Sequence, residues 1–128
     1  MAAAARMRTT VIASLAFLLL PATVARADKA TVTLSAPESV TRGTEATVTL
    51  KVTHSGNNFI HHVNWAFISV DGKELQRWKY TWRKLPESGT FEREIKIVVD
   101  APVTITAQAD CNLHGNKGPA TATINVTE

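Results

Sequence analysis

The sequence lacks most of the features on which small enzymes and disulfide-rich domains depend. It has a single cysteine among its 128 residues, and one cysteine cannot form a disulfide within the chain. No glycine-rich phosphate loop, nucleotide-binding fingerprint or hydrolytic nucleophile motif is present. These absences exclude nucleotide-dependent enzymes and hydrolases as functional classes, and they leave the one thiol to be explained.

A long hydrophobic run is also missing. The apolar run at 11–20 has ten residues before Pro21, whereas a membrane-spanning helix needs about 20. Arginines precede the run and the small residues Ala25 and Ala27 follow it, which is the pattern of a secretory signal peptide. We therefore expect residues 1–27 to be a cleaved signal peptide and the mature protein to be periplasmic or secreted, without a membrane anchor.

An excess of one charge is missing from the rest of the chain. Three of the 14 lysines and arginines lie in the first 27 residues, so 11 remain against 11 aspartates and glutamates. A neutral domain gives no electrostatic basis for binding nucleic acid or an anionic membrane. About 100 residues is the size of one domain, so we predict a single domain over residues 28–128 with no nucleic-acid partner.

What the chain has in abundance is threonine and valine in alternation. Apolar and polar residues alternate with a period of two in seven segments, which is the pattern of half-buried strands. Turn residues such as the Asp71-Gly72 pair separate these segments. The sequence therefore predicts an all-β, immunoglobulin-like seven-stranded β-sandwich. The segments are centred on Val32 and Leu34, Ala46 to Val52, Val63 to Phe67, Trp78 to Trp82, Ile95 and Ile97, Val103 and Ile105, and Ala122 to Val126.

The single cysteine and three of the four histidines fall at predicted strand ends. His54 follows the second strand, His61 precedes the third, and Cys111 and His114 follow the sixth. Loops gather at the ends of a sandwich, so these side chains can meet. A thiolate with imidazoles favours iron, copper or zinc over magnesium or calcium. In the alternative interpretation, Cys111 shares the parity of the apolar residues at 103–109 and is a small core residue.

Two motifs resemble a known family. "CNLHG" at 111–115, preceded by "VTITAQAD", resembles the closing iron-ligand motif of the desulfoferrodoxin and neelaredoxin family, the superoxide reductases. "VTLKVTHSGNNFIHHVNW" at 48–65 resembles the family's histidine, short loop, second histidine and later tryptophan. Because that tryptophan would be Trp65, the resemblance identifies His61, and not His62, as the second ligand.

The resemblance implies a specific chemistry. Members of the family hold one iron, cycling between ferrous and ferric, with four histidines in a plane and a cysteine thiolate on the axis. They reduce superoxide to hydrogen peroxide with one electron from the iron and two protons, so an electron-donor protein is the expected partner. On this chain the resemblance assigns Cys111 as the axial ligand and His54, His61 and His114 as equatorial ligands.

The chain departs from the family pattern near residue 28. The family has glutamate, lysine and histidine there, and these positions fall on Asp28, Lys29 and Ala30. The lysine that attracts superoxide is kept as Lys29, which is the expected catalytic residue, but the fourth histidine is missing. A complete plane then requires His62, whose strand parity points it away from His61, or a water molecule.

Three other functions stay open. A CxxH pair with an upstream histidine is also typical of small blue-copper electron-transfer proteins, although no methionine follows His114. One cysteine and three histidines also suit a structural zinc ion. A metal-free interaction module is the third alternative, and it would gain if Trp78, Tyr80 and Trp82, predicted to share a core face, were exposed. A homo-oligomer is compatible with any of these.

Overall fold

The structure, a computed structural model, describes residues 29–128 as an all-β fold of two sheets. The predicted signal peptide and Asp28 lie outside the described residues. Within residues 29–128 there is no helix that could cross a membrane. The strands are β1 (Thr31–Ser35), β2 (Ser39–Thr41), β3 (Thr44–Thr53), β4 (Val63–Val70), β5 (Lys73–Lys79), β6 (Thr90–Val99), β7 (Val103–Cys111) and β8 (Ala120–Thr127).

The two sheets pack as the predicted sandwich. One has the order β1-β3-β6 and the other the order β2-β8-β7-β4-β5. Adjacent strands are antiparallel except for β2, which pairs in parallel with β8. The immunoglobulin-like fold class is confirmed. β2 is the strand beyond the seven expected, because three residues with one apolar side chain, Val40, are too short to show an alternation.

The core lies between β3 and β7, one strand from each sheet. In β3 the apolar side chains at alternate positions are at most 2% exposed, and in β7 Ile105, Ala107 and Ala109 are fully buried. Burying a side chain such as Leu50 or Ile105 contributes about 1.5–3 kcal/mol. The same packing fixes the strand ends, so the residues that follow β3 and β7 emerge at the same end of the sandwich.

β4 contains a bulge that the sequence pattern concealed. Val63 pairs with Cys111 and Trp65 pairs with Asp110, so Asn64 is an extra residue in β4. The bulge reverses which side chains face inward: Val63 is buried, whereas Trp65 is on the outer face. Val63 and Trp65 were predicted to share one face, and this expectation is wrong.

β5 lies earlier in the chain than the aromatic alternation predicts. The strand ends at Lys79, so Tyr80 and Trp82 lie beyond it. Two backbone hydrogen bonds of 3.0 Å between Thr81 and Lys84 form a turn, and this turn leaves Trp82 57% exposed. Tyr80 is buried and Trp78 is partly buried against the core. The prediction of a shared core face is therefore wrong for Trp82.

The loops divide into two groups at opposite ends of the sandwich. Four segments lie where β3 and β7 end, and we call this the histidine end because it carries His54, His61 and His114. The segments of the histidine end are residues 29–30, 54–62, 80–89 and 112–119. The other loops, at residues 36–38, 42–43, 71–72 and 100–102, lie at the opposite end together with Glu128.

An ion pair connects one loop of the histidine end to β6. The guanidinium of Arg93 donates to both carboxylate oxygens of Glu87, at 2.7 and 2.9 Å. The hydrogen bonds from Arg93 lower the pKa of Glu87 to about 2. Since the folded-state pKa lies below the unfolded value of about 4.3, the pair stabilises the fold at neutral pH, and this contribution is lost as the pH falls toward 2.

We predict that Glu87→Gln lowers the free energy of unfolding at pH 7 by less than about 1 kcal/mol, because the carboxylate is largely exposed and solvent screens it. The difference in the free energy of unfolding between Glu87→Gln and the unsubstituted protein should shrink between pH 4.5 and pH 2. Urea unfolding of metal-free protein over a pH series measures this difference, with Glu94→Gln, on the same strand as Arg93, as the control. A difference that does not change with pH would contradict the conclusion that the ion pair with Arg93 lowers the pKa of Glu87 and stabilises the fold.

Candidate metal centre

His54 directly follows β3 and presents a buried lone pair. The Nδ1 atom of His54 lies 2.6 Å from the Gly56 carbonyl oxygen, so the ring N–H donates there. This leaves Nε2 without a proton, and Nε2 is buried with no hydrogen-bond partner among the described residues. An unsatisfied buried polar atom costs about 1–3 kcal/mol. A histidine held through one nitrogen with the other free is the arrangement of a metal ligand.

Two further residues bring ligand atoms close to His54. His54, His61 and Cys111 each offer one ligand atom, and the three atoms lie within 4.8 Å of one another. Ligand atoms bound at about 2.0–2.3 Å to one ion are at most roughly 4.6 Å apart. A movement of a few tenths of an ångström would therefore let one ion contact all three. The prediction that loops from both sheets bring these residues together agrees with this geometry.

His114 lies beside this group of three, in contact with two of its members, although it is not itself part of the group. Its Nδ1 atom lies 3.0 Å from Nε2 of His61 and 3.8 Å from Sγ of Cys111. Reciprocal backbone hydrogen bonds between Cys111 and Gly115, at 2.8 and 3.0 Å, fold the CNLHG segment into a tight turn. Gly115 has a φ of 73°, which favours glycine. The turn thus directs His114 back toward Cys111.

Cys111 is both a core residue and a member of the cluster. It is 2% exposed and continues the buried face of β7, as the alternative interpretation predicted. Its sulfur nevertheless lies at the edge of the core, against His114 and within the group formed with His54 and His61. Burial and ligation are therefore compatible at this position.

Asparagines hold the loop between His54 and His61, and the sequence analysis did not identify them. The side-chain oxygen of Asn58 accepts a hydrogen bond of 2.8 Å from the His61 backbone. Asn112 accepts 2.9 Å from the backbone N–H of His62 and donates 2.9 Å to the Ile60 carbonyl. Asparagine commonly makes such turn contacts, but the partner across the sheet is not visible in a sequence.

His62 lies outside the cluster. Its ring is buried, with Nδ1 3.0 Å from the Asn58 carbonyl oxygen, and it is not part of the His54, His61 and Cys111 group found among the described residues. This placement agrees with the parity argument against it as the fourth equatorial ligand. Within the described range, the fourth histidine of the family pattern has no substitute in the cluster.

The segment where that histidine was expected lies beside the site. Ala30 is 1% exposed, and its backbone bonds to Gly115 at 3.2 Å and to Lys117 at 3.1 Å. Ala30 is therefore next to the turn that carries His114, but it offers no ligand atom. Lys29, the predicted catalytic residue, is exposed at the same end.

Comparison with solved structures finds the same fold in proteins of different function. A superoxide reductase (neelaredoxin) from Ignicoccus hospitalis has a TM-score of 0.62 and 20% sequence identity, over 82% of this chain and 87% of that chain. A CARDB domain from Pyrococcus furiosus, solved in complex with di-metal ions, has a TM-score of 0.61 and 17% identity, over 77% of this chain and 93% of that one.

A third similar structure is the PKD domain of an M14-like peptidase from a Thermoplasmatales archaeon, with a TM-score of 0.57 and 18% identity, over 79% of this chain and 98% of that one. No family model matches the sequence, and no curated protein does. At these identities the similarity establishes only the fold, so the function has to be inferred from the residues of the site.

Gly89, directly before β6, has no side chain, and this allows the backbone of His54 to lie against it. Its carbonyl accepts 2.8 Å from the His54 backbone N–H, and a Cβ atom added at Gly89 would lie 2.7 Å from the His54 carbonyl oxygen. We predict that Gly89→Ala displaces His54, lowers the free energy of unfolding by about 1–3 kcal/mol and weakens metal binding about tenfold.

Thermal unfolding and competition with a metal chelator measure these two effects. Gly56→Ala is the matched control, because it adds the same methyl group in the loop that carries His54, at a position where nothing lies within 4 Å. Equal effects from the two substitutions would show that the close contact at Gly89 is not what positions His54.

Proposed function

We propose that this protein binds one iron ion through His54, His61, His114 and Cys111 and reduces superoxide to hydrogen peroxide. The observation that carries the proposal is the buried Nε2 atom of His54, which has no hydrogen-bond partner among residues 29–128, in a residue grouped with His61 and Cys111 by ligand atoms within 4.8 Å of one another. The likeness to the Ignicoccus hospitalis superoxide reductase and the motif resemblance both support it.

The residues present fit a redox-active transition metal. Three imidazoles and one thiolate suit iron, copper or zinc and do not suit magnesium or calcium. A blue-copper site usually adds a weak axial methionine, and both methionines of the chain, Met1 and Met7, lie in the predicted signal peptide. Iron and zinc are therefore better matched than copper to this donor set.

Bound iron would supply the exchange of one electron between its ferrous and ferric states. The protein would orient the ligand side chains and shield the thiolate from solvent. The Gly56 carbonyl fixes the ring of His54, and the apolar end of β7 shields the sulfur of Cys111 from solvent. His61 and His114 are partly exposed, so a small molecule can reach the cluster from their side.

The exposed cations at the histidine end suit an anionic substrate. Lys29 and Lys117 flank Ala30 and the His114 turn, and both are exposed. A positive surface raises the local concentration of an anion such as superoxide. We also propose that residues 1–27 direct export, so that the protein meets superoxide outside the cytoplasm, and that a separate donor protein restores the reduced state.

A structural zinc ion is the second candidate, and the number of ligands favours it. Zinc takes four protein ligands in a closed structural site, and the group of three together with the adjacent His114 offers four. The position expected for the family's fourth histidine is Ala30, which adds none. A zinc site would stabilise the loops at the histidine end without redox chemistry.

Metal content and the visible spectrum of the purified mature protein test the proposal. We expect one iron per chain and a thiolate-to-metal charge-transfer band, and we expect protein reduced beforehand to the ferrous state to form one hydrogen peroxide per iron, without dioxygen, as each iron gives one electron to superoxide. Cys111→Ser should abolish the band and lower metal affinity at least about tenfold. His62→Gln, which alters a buried histidine outside the cluster, is the matched control and should keep the metal.

The two candidates give different results in this experiment. Stoichiometric zinc, no visible band and no peroxide would establish the structural site instead. Full metal content in Cys111→Ser would refute both, because each requires the thiolate. An equal loss of bound metal in Cys111→Ser and His62→Gln would show that the metal is not bound by the cluster alone.

A further inference from the structure

The histidine end exposes large apolar side chains beside the metal cluster. Phe59 is 68% exposed, Ile60 59% and Leu113 57%. Phe59 and Ile60 lie between His54 and His61, and Leu113 lies between Cys111 and His114. Because the side chain of Asn112 donates to the Ile60 carbonyl, the two loops are adjacent. We call Phe59, Ile60 and Leu113 the apolar rim.

The exposure is concentrated at this end. Trp82, in the neighbouring loop, is 57% exposed, so four of the six exposed large apolar residues in the described range lie in loops of the histidine end. The other two, Leu75 and Val98, lie on the edge strands β5 and β6. Grouped exposed apolar residues mark interaction surfaces, whereas scattered ones do not.

The same loops carry positive charge. Their four cations are Lys29, Arg83, Lys84 and Lys117. Their one carboxylate, Glu87, is 2.7 Å from Arg93 and is thereby neutralised. These loops therefore carry an excess of positive charge, although the Asp110 carboxylate near the end of β7 also reaches one of them, where it accepts a hydrogen bond of 2.8 Å from Asn116.

The opposite end carries the compensating negative charge. Glu38, Asp71, Asp100 and Glu128 lie there, and the one cation in these segments, Arg42, is 2.7 Å from Glu128. The loops of the two ends thus carry opposite net charge, with Lys73 at the start of β5 as a further cation at the opposite end. The separation, which the net charge conceals, would orient the molecule toward a negatively charged partner.

A basic groove opens on the flank of the histidine end. It has a volume of about 400 Å³, and its lining includes Arg77, Lys79, Lys84 and Arg93. Arg77 and Arg93 are ion-paired with Glu74 and Glu87, so the groove owes its excess positive charge to Lys79 and Lys84. These residues come from β5 and β6, the edge strands of the two sheets, and from the loop that joins them. A concave basic groove accepts protruding acidic side chains, whereas a flat bilayer surface would leave it unfilled.

We propose that the apolar rim and the basic groove form a docking face for a partner protein with an acidic surface. The apolar rim would supply the buried centre of the contact, and the surrounding lysines and arginines would supply its polar margin. The proposal rests on exposure and charge at the histidine end. It therefore holds whichever metal the cluster binds.

Calorimetric titration tests this with a small acidic [2Fe–2S] ferredoxin as the probe. We expect weak binding at 50 mM salt that becomes at least about tenfold weaker at 300 mM salt. The double variant Phe59→Ser, Leu113→Ser should weaken binding about tenfold, and Lys84→Glu should do the same and reduce the salt dependence. The metal content of each variant confirms that the cluster is intact.

Two matched controls locate the surface. Val98→Ser removes an equally exposed apolar residue from β6, and Lys73→Glu reverses an exposed charge at the opposite end; neither should alter binding. No salt-sensitive binding of the ferredoxin, or equal losses in variants and controls, would overturn the proposal. So would preferential binding to phosphatidylglycerol vesicles, or self-association of the protein in sedimentation. A protein without superoxide activity that still binds the ferredoxin would refute the proposed function alone.

Discussion

The pairing of β4 with β7 is the constraint on which the candidate metal centre depends. It sets Val63 opposite Cys111, and it extends past the strands through a 3.0 Å hydrogen bond from the Asn112 backbone N–H to the His62 carbonyl. The loop that carries His61 and the turn that carries His114 are thereby fixed to each other. A shift of this register by one residue would turn the Cys111 side chain to the other face of the sheet.

The second sheet contributes through the end of β3. His54 is held between the Gly89 carbonyl, which bonds its backbone, and the Gly56 carbonyl, which bonds its ring. These contacts fix both the position of the side chain and the nitrogen that stays unprotonated. The unsatisfied Nε2 atom is a local cost that core packing alone does not explain, since a buried polar atom without a partner destabilises the fold. A bound cation removes that cost.

The sequence was sufficient for the fold class and for the convergence of His54, His61, Cys111 and His114, because both follow from alternation and from loops meeting at one end. The sequence was not sufficient to predict which side chains face the core where an extra residue or an early strand end interrupts the alternation. The bulge at Asn64 turns Trp65 outward, and the early end of β5 exposes Trp82. The asparagine contacts join residues about 50 positions apart, and no local pattern encodes such a pairing.

The distribution of charge and apolar surface gives the domain a direction. The end that carries the cluster is positive and partly apolar, whereas the opposite end is acidic and contains none of the six exposed large apolar residues in its loops. A purely structural ion would need neither exposed apolar residues around it nor cations facing outward. A centre that exchanges electrons with another protein would use both, because an apolar area can contact the partner and charges orient its approach. The surface around the cluster therefore suits a redox centre that a partner approaches, and it equally suits an interaction domain whose loops a structural ion stabilises.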